Sequence, residues 1–269
     1  MYLINGCKQQ TTNVSDRSFQ YGDGCFTTML VKSGKIQFWQ QHLERLQHTT
    51  SKLAIAPPDW DKVEQWANQL IEKNKPLMGL KILLSRGSGG RGYASEGCCD
   101  TQVVISAFDY PEHYLQWQRV GVELGVCKTQ IGINPLLAGL KHNNRLEQVL
   151  IKQEISSLGF DDCVVLDIAN NVIETSASNL FWVKNRILYT SMLNQAGVAG
   201  ILRAQIICFA SQLNIEVKIV EAVLDDLYRA DEVFMTNALM GIVPVLKISN
   251  RCYQSSDVTA QFQEKLSQC

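Results

Sequence analysis

At 269 residues the chain exceeds the usual single-domain size, so two modest domains or one large α/β unit are the natural arrangements. Hydrophobic residues make up 46% and charged residues 19%, a composition that excludes a largely disordered chain. With 25 Lys and Arg against 26 Asp and Glu and no basic cluster, there is no electrostatic footprint for nucleic acid or anionic lipid, and the expected partner is a small molecule.

The nine cysteines, at 7, 25, 98, 99, 127, 163, 208, 252 and 269, are scattered and lack the CxxC or Cys/His spacing of a zinc site. They read as reduced thiols, and no metal is expected. The start, MYLINGCKQQ, has no charged segment followed by an apolar one, and no window approaches the roughly 18 apolar residues of a membrane span. A cytoplasmic location fits both features.

In chain order, Tyr2-Leu3-Ile4, Asn5-Gly6 and Cys7-Lys8-Gln9 spell a hairpin, because Asn-Gly supplies the positive φ values of a tight type I′ turn. A second hairpin follows in CFTTMLVKSGKIQFW, with strands on either side of Lys32-Ser33-Gly34-Lys35. Leu43, Leu46 and Leu53 recur at helical spacing in QQHLERLQHTTSKLA, and another helix is expected over 60–72. LKILLSR and TQVVISAFDY read as strands, which gives 1–109 the character of a small α+β domain. Pro111 and its polar neighbours mark a linker over 110–116. Residues 117–269 then form a larger, strand-rich α/β domain. There GVELGVCKT reads as a strand and RLEQVLIKQEISSLG as a helix ending at Gly159. CVVLD, NVIET, NLFWV and RILYT are short strands, GILRAQIICFASQL is a helix opening at Gly200, and EVKIVEA, EVFMTNAL and IVPVLKI complete the strands.

GSGGRG at 87–92 satisfies the dinucleotide pattern G-x-G-x-x-G, but that mechanism needs a helix directly after the glycines so that its amides meet the pyrophosphate. Here YASEGCCD leads into another strand. The segment reads instead as a hairpin loop, or as a mobile loop that carries Arg86 or Arg91 to an anionic substrate. Lys141, between LLAGL and HNNRLEQVL, is either a solvated charge or an amine whose apolar neighbours favour its neutral, nucleophilic form. Glu174 in NVIET is an edge-strand carboxylate or the partner of a heterocyclic nitrogen. The glycine-bracketed turn GVAGILR either opens an ordinary helix or offers the amides near Gly200, Ile201 and Leu202 to a phosphate at the helix N-terminus. Arg45 is a phosphate clamp or a surface charge paired with Glu44.

The series YGDGCFTT, HLERL, SRGSGGRGY, LAGLKHNNRLEQVL, VIETSASNLFW, GVAGILR and DEVFMTNAL resembles, over nearly the whole chain, the fold-type IV pyridoxal-phosphate enzymes, the group of branched-chain and D-amino-acid aminotransferases. The resemblance implies a two-domain α/β (α+β) fold like that of D-amino-acid aminotransferase, pyridoxal 5′-phosphate at the domain interface, and a homodimer. It makes Lys141 the Schiff-base lysine, carried by the larger domain, and Glu174 the partner of the pyridine nitrogen. Arg45, Ile201, Leu202, Thr236 and Asn237 become phosphate or cofactor contacts. Ala238 stands where many members have threonine, and Leu146 where the aminotransferases commonly have tyrosine. Thr28 falls where several aminotransferases have glycine, which makes it a catalytic candidate beside Lys141. SRGSGGRGY and KHNNRLEQVL look closest to the branch of the group that splits 4-amino-4-deoxychorismate into 4-aminobenzoate and pyruvate. Arg86, Arg91 and His142 are then candidate donors to that substrate's two carboxylates. The competing expectations are an aminotransferase of the same group, a nicotinamide enzyme built on GSGGRG, and a non-catalytic binding protein.

Overall fold

The computed structural model describes residues 1–253 and 257–269, and these form two compact units. The first comprises Met1–Pro111 with Lys141–Asn144; the second comprises Glu112–Leu140 and Arg145–Cys269. Lys141 therefore belongs with the N-terminal unit and not with the C-terminal domain that its chain position suggests.

The first unit runs β1 (Tyr2–Ile4), β2 (Cys7–Lys8), α1 (Arg17–Tyr21), β3 (Gly24–Lys32), β4 (Lys35–Ile36), α2 (Trp39–Lys52), α3 (Trp60–Gln69), β5 (Leu77–Ser85) and β6 (Gln102–Asp109). Its strands form one antiparallel sheet in the order β2-β1-β6-β5-β3-β4. Both turns expected from the sequence form, with positive φ at Asn5 (48°) and Gly6 (80°) and at Ser33 (50°) and Gly34 (75°). Gly6 is also required sterically, because a Cβ there would run into the Trp66 indole.

Alternation along β3 sorts its side chains. Cys25, Met29 and Val31 are buried in one core with Leu46 of α2, Val63 and Ala67 of α3, and Leu80, Ile82 and Leu84 of β5. Burying each such aliphatic chain contributes about 1.5–3 kcal/mol. Phe26, Thr28 and Leu30 take the opposite, half-buried face.

The pairing of β4 reaches only Val31 and Lys32 of β3, which leaves the other end of that strand edge with open backbone groups. Residues 141–144 fill it. The Phe26 N–H donates to the Lys141 carbonyl (3.0 Å), the Asn143 N–H to the Gly24 carbonyl (3.0 Å), and Cys25 bridges antiparallel to His142. The Asn143 amide also donates to the Ser18 hydroxyl (2.8 Å) and the Leu84 carbonyl (3.1 Å), and the Asn144 amide to the Gly22 carbonyl (3.1 Å). The polar run behind Lys141 is thus what sews the lysine to β3.

The second unit runs α4 (His113–Val120), β7 (Val122–Val126), α5 (Leu146–Leu158), β8 (Asp162–Leu166), β9 (Val172–Thr175), β10 (Asn179–Lys184), β11 (Ile187–Ser191), α6 (Ile201–Gln212), β12 (Val217–Val220), α7 (Leu224–Tyr228), β13 (Glu232–Asn237), β14 (Gly241–Ile248), β15 (Arg251–Cys252) and α8 (Asp257–Ser267). From β10 the pairing passes through β13, β14, β7, β8 and β9 and returns to β10, closing on itself; β11 and β12 extend it beyond β10. Val122, Leu124, Val164, Leu180, Trp182, Val233 and Met235 lie in one buried cluster, while Phe181, Phe234 and Phe262 form another with α6.

Part of the expected linker 110–116 is helical. Tyr114 and Trp117, three residues apart, pack against the first of those clusters, and this apolar contact turns the segment into α4. Gly159 ends α5 in the left-handed conformation (φ 75°), as its sequence suggests.

Candidate active site

In the first unit, Lys141 is half-buried, and its ammonium lies 4.5 Å from the centroid of the Phe26 ring. Thr28 is two residues further along the same face of β3, and its hydroxyl makes no hydrogen bond among the described residues. On the helix side of the strand a chain of polar groups runs through the core. Arg45 Nη2 donates to Thr27 Oγ1, which shares a hydrogen bond with His42 Nδ1 (2.6 Å). Burial, and then the charges of Arg45 and Lys141, hold the His42 imidazole well below its usual pKa. The other ring nitrogen, Nε2, is buried without a partner among the described residues. Burial pulls Arg45 down to about 10, so it remains charged at neutral pH, and its Nε is likewise buried without a partner. Glu44 bonds Gln40 instead of Arg45, so the surface-charge reading of Arg45 does not hold.

The glycine loop is organised differently. No helix follows Gly92; the chain returns along β6, which removes the geometry a dinucleotide needs. Arg17, 4% exposed, donates Nε to Asp23 Oδ2 (2.9 Å), Nη1 to the carbonyls of Gly92 (3.0 Å), Ala94 (3.2 Å) and Gly89 (3.4 Å), and Nη2 to Tyr93 (3.2 Å). Arg86 is held in the same way, by Asp23 Oδ2 (2.7 Å), Ala54 O (2.6 Å) and Leu53 O (2.7 Å). Burial pushes the Asp23 carboxyl up, but Arg86 and Arg17 together hold it below the ordinary range. The Arg86 guanidinium is therefore engaged within the fold, whereas the Arg91 side chain is exposed. A cavity of about 530 Å³ in this unit is lined by Tyr2, Asp16, Phe19, Leu83 and Val104 among others, and by none of the residues expected to be catalytic.

In the second unit Glu174 is buried, at 6% exposure, and β9 pairs with both β8 and β10, so it is no edge-strand carboxylate. Its Oε2 accepts the Val198 N–H (3.0 Å). Asn179, its register partner on β10, pins the same turn: Nδ2 donates to the Val198 carbonyl (2.8 Å) and Oδ1 accepts the Gly200 N–H (3.1 Å). The turn is thereby fixed where it opens α6, with Gly200 as N-cap and no side chain capping Ile201 or Leu202. Their amides have no intrahelical acceptor and point along the helix axis. The Thr236 hydroxyl donates to the Gly241 carbonyl (2.8 Å). The Asn237 amide donates to Ala177 O (3.2 Å) and Ser178 Oγ (3.3 Å), and its carbonyl accepts from Leu239 (3.0 Å) and Met240 (2.7 Å). These last two side chains serve the turn that joins β13 to β14.

Residues 24–248 match the amino-transferase class IV family. The chain belongs to that family. It is 47% identical over 249 residues to an aminodeoxychorismate lyase of Vibrio harveyi, covering 93% of this chain and 92% of the relative. The solved 4-amino-4-deoxychorismate lyase of Pseudomonas aeruginosa is 33% identical and superposes with a TM-score of 0.91, covering 100% of this chain and 98% of that one. The branched-chain aminotransferase of Escherichia coli shares the fold at a TM-score of 0.88 and 23% identity, covering 99% and 93%. The mixed α/β fold is thus that of the fold-type IV enzymes.

Against the class IV pattern, Leu146 is 71% exposed at the start of α5. Sequence reading overlooked Thr27, His42, Asn179, Arg17 and Lys81. Thr27 had a local signal, because it falls in the buried phase of β3, and His42 is three residues before Arg45 on α2. Arg17 had none, since its loop acceptors lie more than seventy positions away in the chain.

Proposed function

We propose that this chain converts 4-amino-4-deoxychorismate to 4-aminobenzoate and pyruvate with pyridoxal 5′-phosphate as cofactor, the step that supplies 4-aminobenzoate for folate. The observation that carries this reading is the likeness to the lyases, 47% over 93% of the chain, against 23% identity to the aminotransferase of the same fold.

The residues present fit the cofactor. The orphaned Nε of Arg45 is a buried cationic donor that lacks an anion, which is what a phosphate supplies. The uncapped first turn of α6 offers the amides of Ile201 and Leu202 to the same kind of group. Glu174, buried and positioned by the Val198 amide, suits a protonated ring nitrogen. Lys141 is the covalent anchor, and Thr236 and Asn237 brace the turn at the end of β13. Pyridoxal phosphate, when bound, supplies a sink for the electron pair released at the carbon that carries the substrate's nitrogen. The Lys141 amine, freed from its anchoring role, removes the proton from that carbon. The adjacent carbon carries an enolpyruvyl ether; its departure as pyruvate aromatises the ring and makes the exit effectively irreversible. Thr28, on the face that carries Phe26 and with no other hydrogen-bond partner among the described residues, is the hydroxyl nearest in register to assist. Arg91 and His142 stand as candidate carboxylate donors, and Arg86 contributes through the loop it fixes.

The active form in this reading is a cytoplasmic homodimer. Leu146, Val149 and Leu150 are 71%, 51% and 48% exposed at i, i+3 and i+4 of α5, an apolar stripe that a second copy would cover. All nine cysteines are free thiols, and among the described residues no helix is long and apolar enough to cross a membrane.

The test is turnover without an amino acceptor. Loaded enzyme given 4-amino-4-deoxychorismate and no keto acid forms 4-aminobenzoate and pyruvate in equal amounts. Amino-group exchange that requires a keto acid, with no 4-aminobenzoate formed, assigns the chain to the aminotransferases instead.

A further inference from the structure

Lys81 sits in the middle of β5, between β3 and β6, an uncommon place for a lysine. Its register partners are Thr28 on β3 and Ser106 on β6, and directly opposed residues share a face, so its side chain leaves the sheet beside Thr28 and Phe26. Its ammonium lies 4.6 Å from the centroid of the Phe26 ring, the ring that also receives the Lys141 ammonium at 4.5 Å. A lysine that merely covered apolar surface would extend its charge into water. This one is half-buried, and among the described residues no carboxylate pairs with it and no hydrogen bond takes its protons. Burial alone holds its pKa below the ordinary lysine value.

Two ammonium groups thus face one ring, and among the described residues Lys81 has no carboxylate partner, an arrangement suited to an incoming anion. In an ordinary amino acid the carboxylate is attached to the reacting carbon. In 4-amino-4-deoxychorismate both carboxylates are remote from it, so with the reacting carbon at Lys141 a second cation on the same ring is suitably placed for one of them. We infer that Lys81 binds a substrate carboxylate remote from the reacting carbon and so selects this substrate over simple amino acids. The inference rests on the lyase reading above and adds to it a specificity-determining residue.

The test uses the full-length, cofactor-loaded enzyme and the variants Lys81→Met, which keeps the stem on Phe26 and removes the charge, and Lys81→Arg, which restores it. For Lys81→Met the KM for 4-amino-4-deoxychorismate rises roughly 10- to 100-fold, the range of one charge-assisted hydrogen bond, while kcat falls less than about 3-fold. The visible absorbance of the loaded protein is unchanged, and Lys81→Arg recovers most of the loss. The inhibition constant of 4-aminobenzoate locates the contact: it rises with KM if Lys81 holds the ring carboxylate, and stays constant if it holds the enolpyruvyl one. If Lys81→Met fails to fold, Lys81→Gln takes its place with the same expectation. A neutral variant that turns over with wild-type KM overturns the inference, leaves Lys81 a structural cation, and leaves the lyase reading intact. A wild-type enzyme that forms neither product overturns both.

Discussion

Arg17 is buried and Arg45 half-buried in the first unit, and the surroundings of their guanidiniums are opposite. Arg17 shares Asp23 with Arg86 and donates to four carbonyls of the glycine loop. Among the described residues Arg45 has no carboxylate partner; it donates to a threonine, lies near the His42 imidazole, and has a buried Nε without a partner. Lys81, over Phe26, resembles Arg45 in this respect. A cation whose donors are all matched inside the protein holds structure, while one left partly unmatched is suited to bind an anion. The distinction reassigns Arg86, a candidate for substrate binding on its motif, to the framework of the loop.

Removing each charge in turn separates the two roles. Arg17→Met should destabilise the protein by about 3 kcal/mol, since it strips the loop carbonyls of their donor and half of Asp23's pairing; urea unfolding measures it. Arg45→Met should leave the stability of the cofactor-free protein within about 1 kcal/mol of wild type, or raise it, while weakening pyridoxal phosphate binding about 100-fold, close to 2.7 kcal/mol. Titration of the cofactor-free protein reads the second quantity. Equal destabilisation by the two substitutions would erase the contrast.

Acid sharpens it further. Because the Asp23 pKa is lowered in the folded state, its contribution is fully present above the ordinary aspartate value of 3.8 and is lost as pH falls through the lowered value. Thermal melts should therefore lose stability on that acid limb, and Asp23→Asn should flatten it. The smallest effect belongs to Arg91→Ala, which should change stability by less than about 0.5 kcal/mol because the side chain is exposed.

These contrasts also mark where the sequence was legible. Asn5-Gly6 and Ser33-Gly34 announce their hairpins because positive φ is a local demand, and Gly159 ends α5 for the same reason. The helix α4 was hidden because its signal is only Tyr114 and Trp117 among polar residues, and what makes it a helix is packing on strands far along the chain. Of the site, the order of motifs pointed to Lys141, Arg45, Glu174 and the start of α6; in the structure Glu174 is buried and so is the Nε of Arg45. The motif could not disclose that Lys141–Asn144 is built into the edge of β3, nor that Asn179 holds the turn before α6, because both depend on backbone pairing between distant segments. Lys81 was concealed within an apolar strand, LKILLSR, where the feature that drew the proposal, the lack of a partner among the described residues, is invisible in the sequence.

Lys141 is proposed to anchor the cofactor and then to move the proton. Borohydride reduction of the loaded enzyme followed by peptide mapping tests this directly. The visible absorbance should be lost and a stable cofactor label should appear on the peptide containing Lys141; a label on any other lysine, or none, would contradict the proposed role.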